Sequence, residues 1–315
     1  MIKIDKKDRK LLYYLAQNSR ESDTRLAKKI SLSKNAVKYR IERLRREQIL
    51  KCTAVVNLSS LGYETCMLLM KFNEDIYGKN DIIEHFKAHP FTNWVATLSG
   101  EWDLITEFIV RDFAHMQQIV TEIYHHFGDL LNKHEIFFSF QPLRVAHLVA
   151  DIYADLKLPQ PMKPRMPEKF NLDETDKRLL RILVNDSSIS FIAIAAHLGT
   201  SIDVVRYRMK KLESILAFTV DVSLSKIGYQ EFFYVLKVRK NADTLKKRIA
   251  AEDSVTYATF DVLTQSLIFS CAFKTADGID KLTRQLRKNF SDIIDHQYYF
   301  MIKEQVKFEL FPSGL

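Results

Sequence analysis

The segment LAKKISLSKNAVKYRIERLRREQIL, Leu26 to Leu50, reads as two helices joined by a tight turn. Leu26, Ala27 and Ile30 give the first helix one apolar face. Ser31-Leu32-Ser33 breaks it, and Ser33 suits the N-cap of the next helix, since its hydroxyl accepts from free N–H groups of the first turn. Val37, Ile41 and Leu44 recur at i, i+4 and i+7 and so face a core. On the same wheel Asn35, Tyr39, Glu42 and Arg43 point away, flanked by Lys34 and Lys38. Upstream, IDKKDRKLLYYL (Ile4 to Leu15) supplies a leading helix. Asp5 is its N-cap, Asp8 puts negative charge in the first turn, where the helix dipole favours it, and Leu11, Leu12 and Leu15 form a stripe. Helices in this arrangement, the last one basic and polar outward, make a helix-turn-helix suited to a DNA major groove.

The pattern occurs twice. IDKKDRKLLYYL returns as LDETDKRLLRIL (Leu172 to Leu183), SKNAVKYRIERL (Ser33 to Leu44) as SIDVVRYRMKKL (Ser201 to Leu212), and NLSSLGY (Asn57 to Tyr63) as SLSKIGY (Ser223 to Tyr229). The spacing is nearly kept, so one two-part unit has been copied once. After each helical part the period changes. In the first copy TAVVNL leads out as a strand, and ETCMLLMKF (Glu64 to Phe72) is a buried strand. A helix from Asp81 to Ala88 stops before Pro90. TNWVATL and DLITEFIV are strands around a tight Ser99-Gly100-Glu101-Trp102 connection. Phe113, Met116, Ile119, Val120, Ile123 and Phe127 mark a helix, and HEIFFSF closes the unit. The order β-α-β-β-α-β is the ferredoxin-like arrangement. The second copy repeats it with EFFYVLKV, a helix from Thr244 to Glu252, VTYATF, SLIFSCAF, a helix bearing Ile279, Leu282, Leu286 and Phe290, and IDHQYYFMI. The expected class is α+β, two copies of a helix-turn-helix domain followed by a ferredoxin-like domain. The expected boundaries are 1–51, 52–141, 142–168, 169–217 and 218–315. Within 142–168, PLRVAHLVADIYADL (Pro142 to Leu156) reads as an added helix, and LPQPMKPRMP (Leu158 to Pro167) as a stiff proline-rich linker.

Charge is unevenly placed. The chain of 315 residues carries +8 overall, yet residues 1–51 hold 16 Lys+Arg against 6 Asp+Glu, a net of +10, while residues 52–168 hold 9 against 15, a net of −6. The basic excess sits on the first helix-turn-helix and predicts a polyanion partner, double-stranded DNA. Cys52, Cys66 and Cys271 are too few and scattered for a disulfide framework or a zinc site. No apolar run approaches the length of a bilayer span, and a cytoplasmic location with no membrane partner is expected.

These motifs together resemble the Lrp/AsnC (feast/famine) transcription regulators. Leu26 to Leu50 is similar to the family's DNA-binding signature, and LSGEWDL (Leu98 to Leu104) to its effector-domain motif. The resemblance implies a sequence-specific regulator, DNA contacts from Ser33, Lys34, Asn35, Lys38, Tyr39 and Arg43, and ferredoxin-like domains that dimerise through their sheets and bind amino acids. Gly100, Glu101, Trp102 and Asp103 would be effector-site residues: a glycine lets backbone approach a ligand, and a carboxylate accepts from an ammonium. A homodimer or higher oligomer is implied, and the two ferredoxin-like modules could pair within a chain or between chains. The second copy departs from the pattern. Gly100 falls opposite Val262 and Asp103 opposite Gln265, while Lys34 and Asn35 fall opposite Ile202 and Asp203.

No catalytic group, cofactor or metal is expected. There is no phosphate-binding glycine loop and no nucleophile elbow. His85 and His89 are four apart, but Pro90 ends their helix and no third ligand is evident in sequence; His125, His126 and His134 read as polar surface. Sirohaem decarboxylases share this architecture and form the alternative. They are expected to carry an Arg-Arg-Phe-Gly-type strand after the helical module with a nearby His, where this chain reads CTAVVNLSSLGY, with neither.

Overall fold

The computed structural model describes residues 2–73, 75–76, 80–139, 142–156, 158, 169–239 and 241–315. Two compact units emerge, and each draws on both copies: Met1–Leu61 with His147–Gly228, and Gly62–Ala146 with Tyr229–Leu315. The grouping therefore cuts across the duplication, joining like with like.

The first unit holds both helix-turn-helix modules. α1 (Lys6–Gln17), α2 (Asp23–Ile30), α3 (Lys34–Arg46) and strand β1 (Leu50–Val56) are matched by α6 (Glu174–Asn185), α7 (Phe191–Leu198), α8 (Ile202–Leu212) and β7 (Leu216–Val222). α1 and α6 start in capping boxes, Asp5 with Asp8 and Asp173 with Asp176. Asp8 and Asp176 are fully buried, so each needs a counter-charge. Arg40 and Arg43 reach Asp8 at 2.6 Å each; Arg208 reaches Asp176 at 2.7 Å, and Lys211 joins it. These ion pairs tie the third helix of each module to its first.

β1 and β7 join the modules as an antiparallel ribbon, with Thr53 opposite Thr219. Each threonine serves the other copy's leading helix. Thr53 Oγ1 donates to the Val184 carbonyl at 2.6 Å, and Thr219 Oγ1 to the Ala16 carbonyl at 2.9 Å. Carbonyls in a helix's last turn lack intrahelical donors, so these bonds fill a real deficit. Ser19 and Ser187 meet at 2.6 Å, buried between the modules. β1 and β7 thus pack with the helical modules, although the sequence boundaries at 52 and 218 place most of each strand with the ferredoxin-like parts.

The second unit is one nine-stranded sheet. The first module contributes β2 (Glu64–Phe72), α4 (Asn80–Ala88), β3 (Thr92–Ser99), β4 (Leu104–Val110), α5 (Phe113–Phe127) and β5 (Leu131–Ser139). The second contributes β8 (Gln230–Val238), α9 (Asp243–Ala250), β9 (Val255–Asp261), β10 (Ser266–Phe273), α10 (Ala276–Phe290) and β11 (Ile294–Phe308), and a short β6 (Pro142–Val145) pairs with β9. The order is β5-β2-β4-β3-β11-β8-β10-β9-β6, two ferredoxin-like sheets fused edge to edge. β11 is the seam: Ile294 to Met301 pair with β8, and Met301 to Phe308 with β3.

Three cores follow from strand alternation. On β2, Cys66, Leu68, Met70 and Phe72 pack with α4 and α5, while Met67 and Leu69 turn inward. On β8, Phe232, Tyr234, Leu236 and Val238 pack with α9 and α10, while Phe233 and Val235 turn inward. The inward residues of both modules form one shared cluster with Ala96, Leu98, Trp102, Ile105, Phe137, Ile268 and Phe300. Strands covered on both faces need near-continuous apolar runs, which β2 and β8 have. The modules thus pair within one chain, settling the alternative that the sequence left open.

The expected helix from Pro142 to Leu156 does not form. Its first four residues are β6, and Ala150–Ile152 and Ala154–Leu156 are single 3-10 turns. The edge of β9 offers backbone partners, and that pairing outweighs local helical preference. Apart from Leu158, the proline-rich run to Pro167 lies outside the described residues.

Candidate nucleic-acid interface and effector loop

The turn between α2 and α3 has the geometry of a helix-turn-helix. Ser31 caps α2 in the left-handed region at φ 56°, where the second copy uses Gly199 at φ 67°. Ser33 caps α3 by accepting from the Ala36 N–H at 3.1 Å, which spends its hydroxyl on the helix start. Lys34, Asn35, Lys38 and Tyr39 are all exposed, Tyr39 to 62%, and project from the first two turns. Among the described residues Lys38 pairs with Glu42, at 3.8 Å between exposed side chains, a pair worth little in water. Thr24 and Arg25 are exposed at the start of α2.

Arg43 stands elsewhere. The helical wheel turns its Cα outward, but its guanidinium folds back onto buried Asp8 and is already neutralised. Arg45 likewise turns inward, to Ser188 Oγ at 2.7 Å. The cationic face of α3 is therefore narrower than its composition, and centres on Lys34 and Lys38.

α8 presents different chemistry at the equivalent positions. Asp203 is exposed and holds Arg206 at 3.0 Å, cancelling it locally. Tyr207 is 70% exposed, and Ile192 on α7 is 69% exposed. Arg208 grips both Asp173 and Asp176, and that guanidinium, together with the Asp176 N–H, holds the Asp173 carboxyl below the ordinary carboxylate range.

The loop between β3 and β4 contains the expected effector residues. Gly100 has φ +111°, a conformation that L side chains avoid, so the turn itself requires glycine there. Glu101 pairs with Lys133 at the surface. Trp102 is buried in the inner core under the Lys133 ammonium, 4.5 Å from its ring, and its indole N–H meets no acceptor among the described residues. Asp103 accepts from Lys71 Nζ at 2.7 Å and from the Phe72 N–H at 2.9 Å. The ammonium that its carboxylate was expected to meet is thus supplied by the protein itself. In the second copy the left-handed residue is Gln265, at the far end of the turn, and Val262 and Leu263 are exposed at its tip.

The sequence profile of the AsnC-type helix-turn-helix domain matches residues 4–45 and again 172–213. An uncharacterised HTH-type transcriptional regulator of Pyrococcus horikoshii is 31% identical over 122 residues, which span 38% of this chain and 81% of that relative. The chain belongs to the AsnC-type helix-turn-helix family. An HTH-type transcriptional regulator of Mycobacterium tuberculosis is 27% identical over 124 residues, 39% of this AsnC-type protein and 84% of the relative. Among solved structures, the siroheme decarboxylase NirDL matches with a TM-score of 0.64 at 14% identity, covering 96% of this AsnC-type chain and 93% of its own. Its complex with an iron-uroporphyrin III analogue matches with a TM-score of 0.65 at 13% identity, over 98% and 94%. At such identity the likeness shows a shared duplicated fold. Among the described residues no helix is long and apolar enough to cross a membrane.

Proposed function

We propose that this chain is a sequence-specific DNA-binding transcription regulator whose first helix-turn-helix carries most of the affinity. The observation that supports it is the exposed face of α3, where Lys34, Asn35, Lys38 and Tyr39 project together above a capped turn. Asn and Lys side chains there suit base edges and phosphates. Gly100, Glu101, Trp102 and Asp103 are proposed as the seat of an amino-acid effector, whose ammonium would have to displace Lys71 from Asp103.

The test is footprinting on genomic fragments over a range of salt, with and without a panel of amino acids. Lys34→Ala with Lys38→Ala should weaken binding and flatten log K against log salt by about one unit per lost phosphate contact. An unchanged slope would overturn the assignment.

One observation favours a second reading, a siroheme decarboxylase-like enzyme: the fold match to NirDL extends over the whole chain. The strand after the first helical module, CTAVV, offers it no Arg or His. Tetrapyrrole absorbance in the purified protein would favour this reading over the regulator.

A further inference from the structure

The outer face of the first ferredoxin-like module brings together side chains that sequence spacing keeps apart. His85 lies in the last turn of α4, and Glu122 and His126 lie one turn apart near the end of α5. The two helices meet there, with the His85 ring 4.9 Å from Phe127 and 5.1 Å from His126. One nitrogen or carboxylate oxygen from each of His85, Glu122 and His126 lies within 4.8 Å of the others.

The hydrogen bonds leave ring nitrogens free to bind. His126 Nδ1 faces the Glu122 carbonyl at 2.8 Å. A carbonyl only accepts, so Nδ1 carries the proton and Nε2 keeps its lone pair. His85 Nε2 is buried and has no hydrogen-bond partner among the described residues. His89, just past the end of α4, accepts from the Phe91 N–H at Nδ1, 3.3 Å away, and its Nε2 lies 3.9 Å from Glu122 Oε2. At that distance it makes no hydrogen bond to the carboxylate, and it is not one of the three clustered donors.

We propose that His85, Glu122 and His126 bind one divalent transition-metal ion of the zinc class. Two imidazoles and a carboxylate match zinc's preferences, and three protein ligands leave one position for water or an incoming group. The backbone acceptor behind His126 is the kind of outer support that metal sites use to fix ligand orientation. With metal–ligand bonds of about 2.0–2.1 Å, tetrahedral donors sit about 3.3 Å apart, so the cluster must close by about 1.5 Å. Glu122 and His126 are exposed and have room to make that movement. The second module cannot copy the site, because neither α9 nor α10 contains a histidine. The stoichiometry is therefore one ion per chain.

The full-length protein, stripped with chelator, would be titrated with zinc chloride by calorimetry at neutral pH, and with cobalt chloride by visible absorption. One equivalent should bind, with tetrahedral cobalt bands and a rise in melting temperature. His126→Ala and Glu122→Gln, both at exposed positions that tolerate change, should each weaken binding at least tenfold and abolish the cobalt bands. His125→Ala, its neighbour outside the cluster, should bind like the parent. No stoichiometric uptake, or equal uptake by the His126 and Glu122 variants with unchanged circular dichroism, would overturn the proposal.

Discussion

Glu107 shows how a single residue sets a pH dependence. It lies on β4 between Ile105 and Ile109, on the face turned toward the second module, and accepts from Asn93 Nδ2 at 2.5 Å. Burial pushes its carboxyl up to about 7 from an ordinary value of 4.5. Between those values the folded protein holds a proton that the unfolded chain has released, so stability falls as pH rises through the window. Glu107→Gln keeps an acceptor for Asn93 and removes the charge. It should stabilise by about 1–2 kcal/mol at pH 8, allowing for partial exposure, and by almost nothing at pH 4. Denaturant unfolding at the two pH values checks this; an equal effect at both would argue against it. At this scale the sequence was legible where the cause is local. Ser33 as a cap and Gly100 in a turn follow from neighbours alone. Arg43 was misread because a helical wheel places its Cα and not its long side chain, which reaches Asp8 across the module. Lys71 against Asp103, and His85 against Glu122 and His126, depend on elements that only the fold brings together.

Elements were legible where period and caps agree, as in α1, α3, α6 and α8. β11 was not: the apolar run IDHQYYFMI suggested a strand that stops at Ile302, since KEQVKF alternates weakly and gains its structure from pairing with β3. Comparing α3 with α8 gives a prediction at this scale. α8 keeps the backbone of a recognition helix but carries Ile202 and Asp203 where α3 has Lys34 and Asn35. Ile offers nothing to a base edge, and an aspartate near phosphates repels them. Restoring lysine and asparagine, with Ile202→Lys and Asp203→Asn, should tighten DNA binding several-fold and steepen its salt dependence by about one unit. Gel-shift titration of the double variant measures it. Unchanged affinity would mean that α8 does not approach DNA.

At the scale of the molecule, the duplication has become an internal partnership. A chain ending at Leu156 would expose Met67, Leu69, Ala96, Leu98, Ile105 and Phe137, which the second copy now covers, along with the open edges of β1 and β3. Residues 1–156 expressed alone should self-associate or aggregate, and co-expression with residues 169–315 should give a stable one-to-one complex. Light scattering after gel filtration distinguishes these outcomes; a well-behaved monomer of 1–156 would contradict the shared core. The Thr53–Thr219 ribbon has one more consequence. Two separate subunits joined by such a ribbon would come apart on dilution, so their activity would follow expression level through a dissociation constant. Here the partner is tethered, and its local concentration is fixed by the covalent chain. The two helical modules stay paired even at a few molecules per cell, because their association does not depend on meeting another chain.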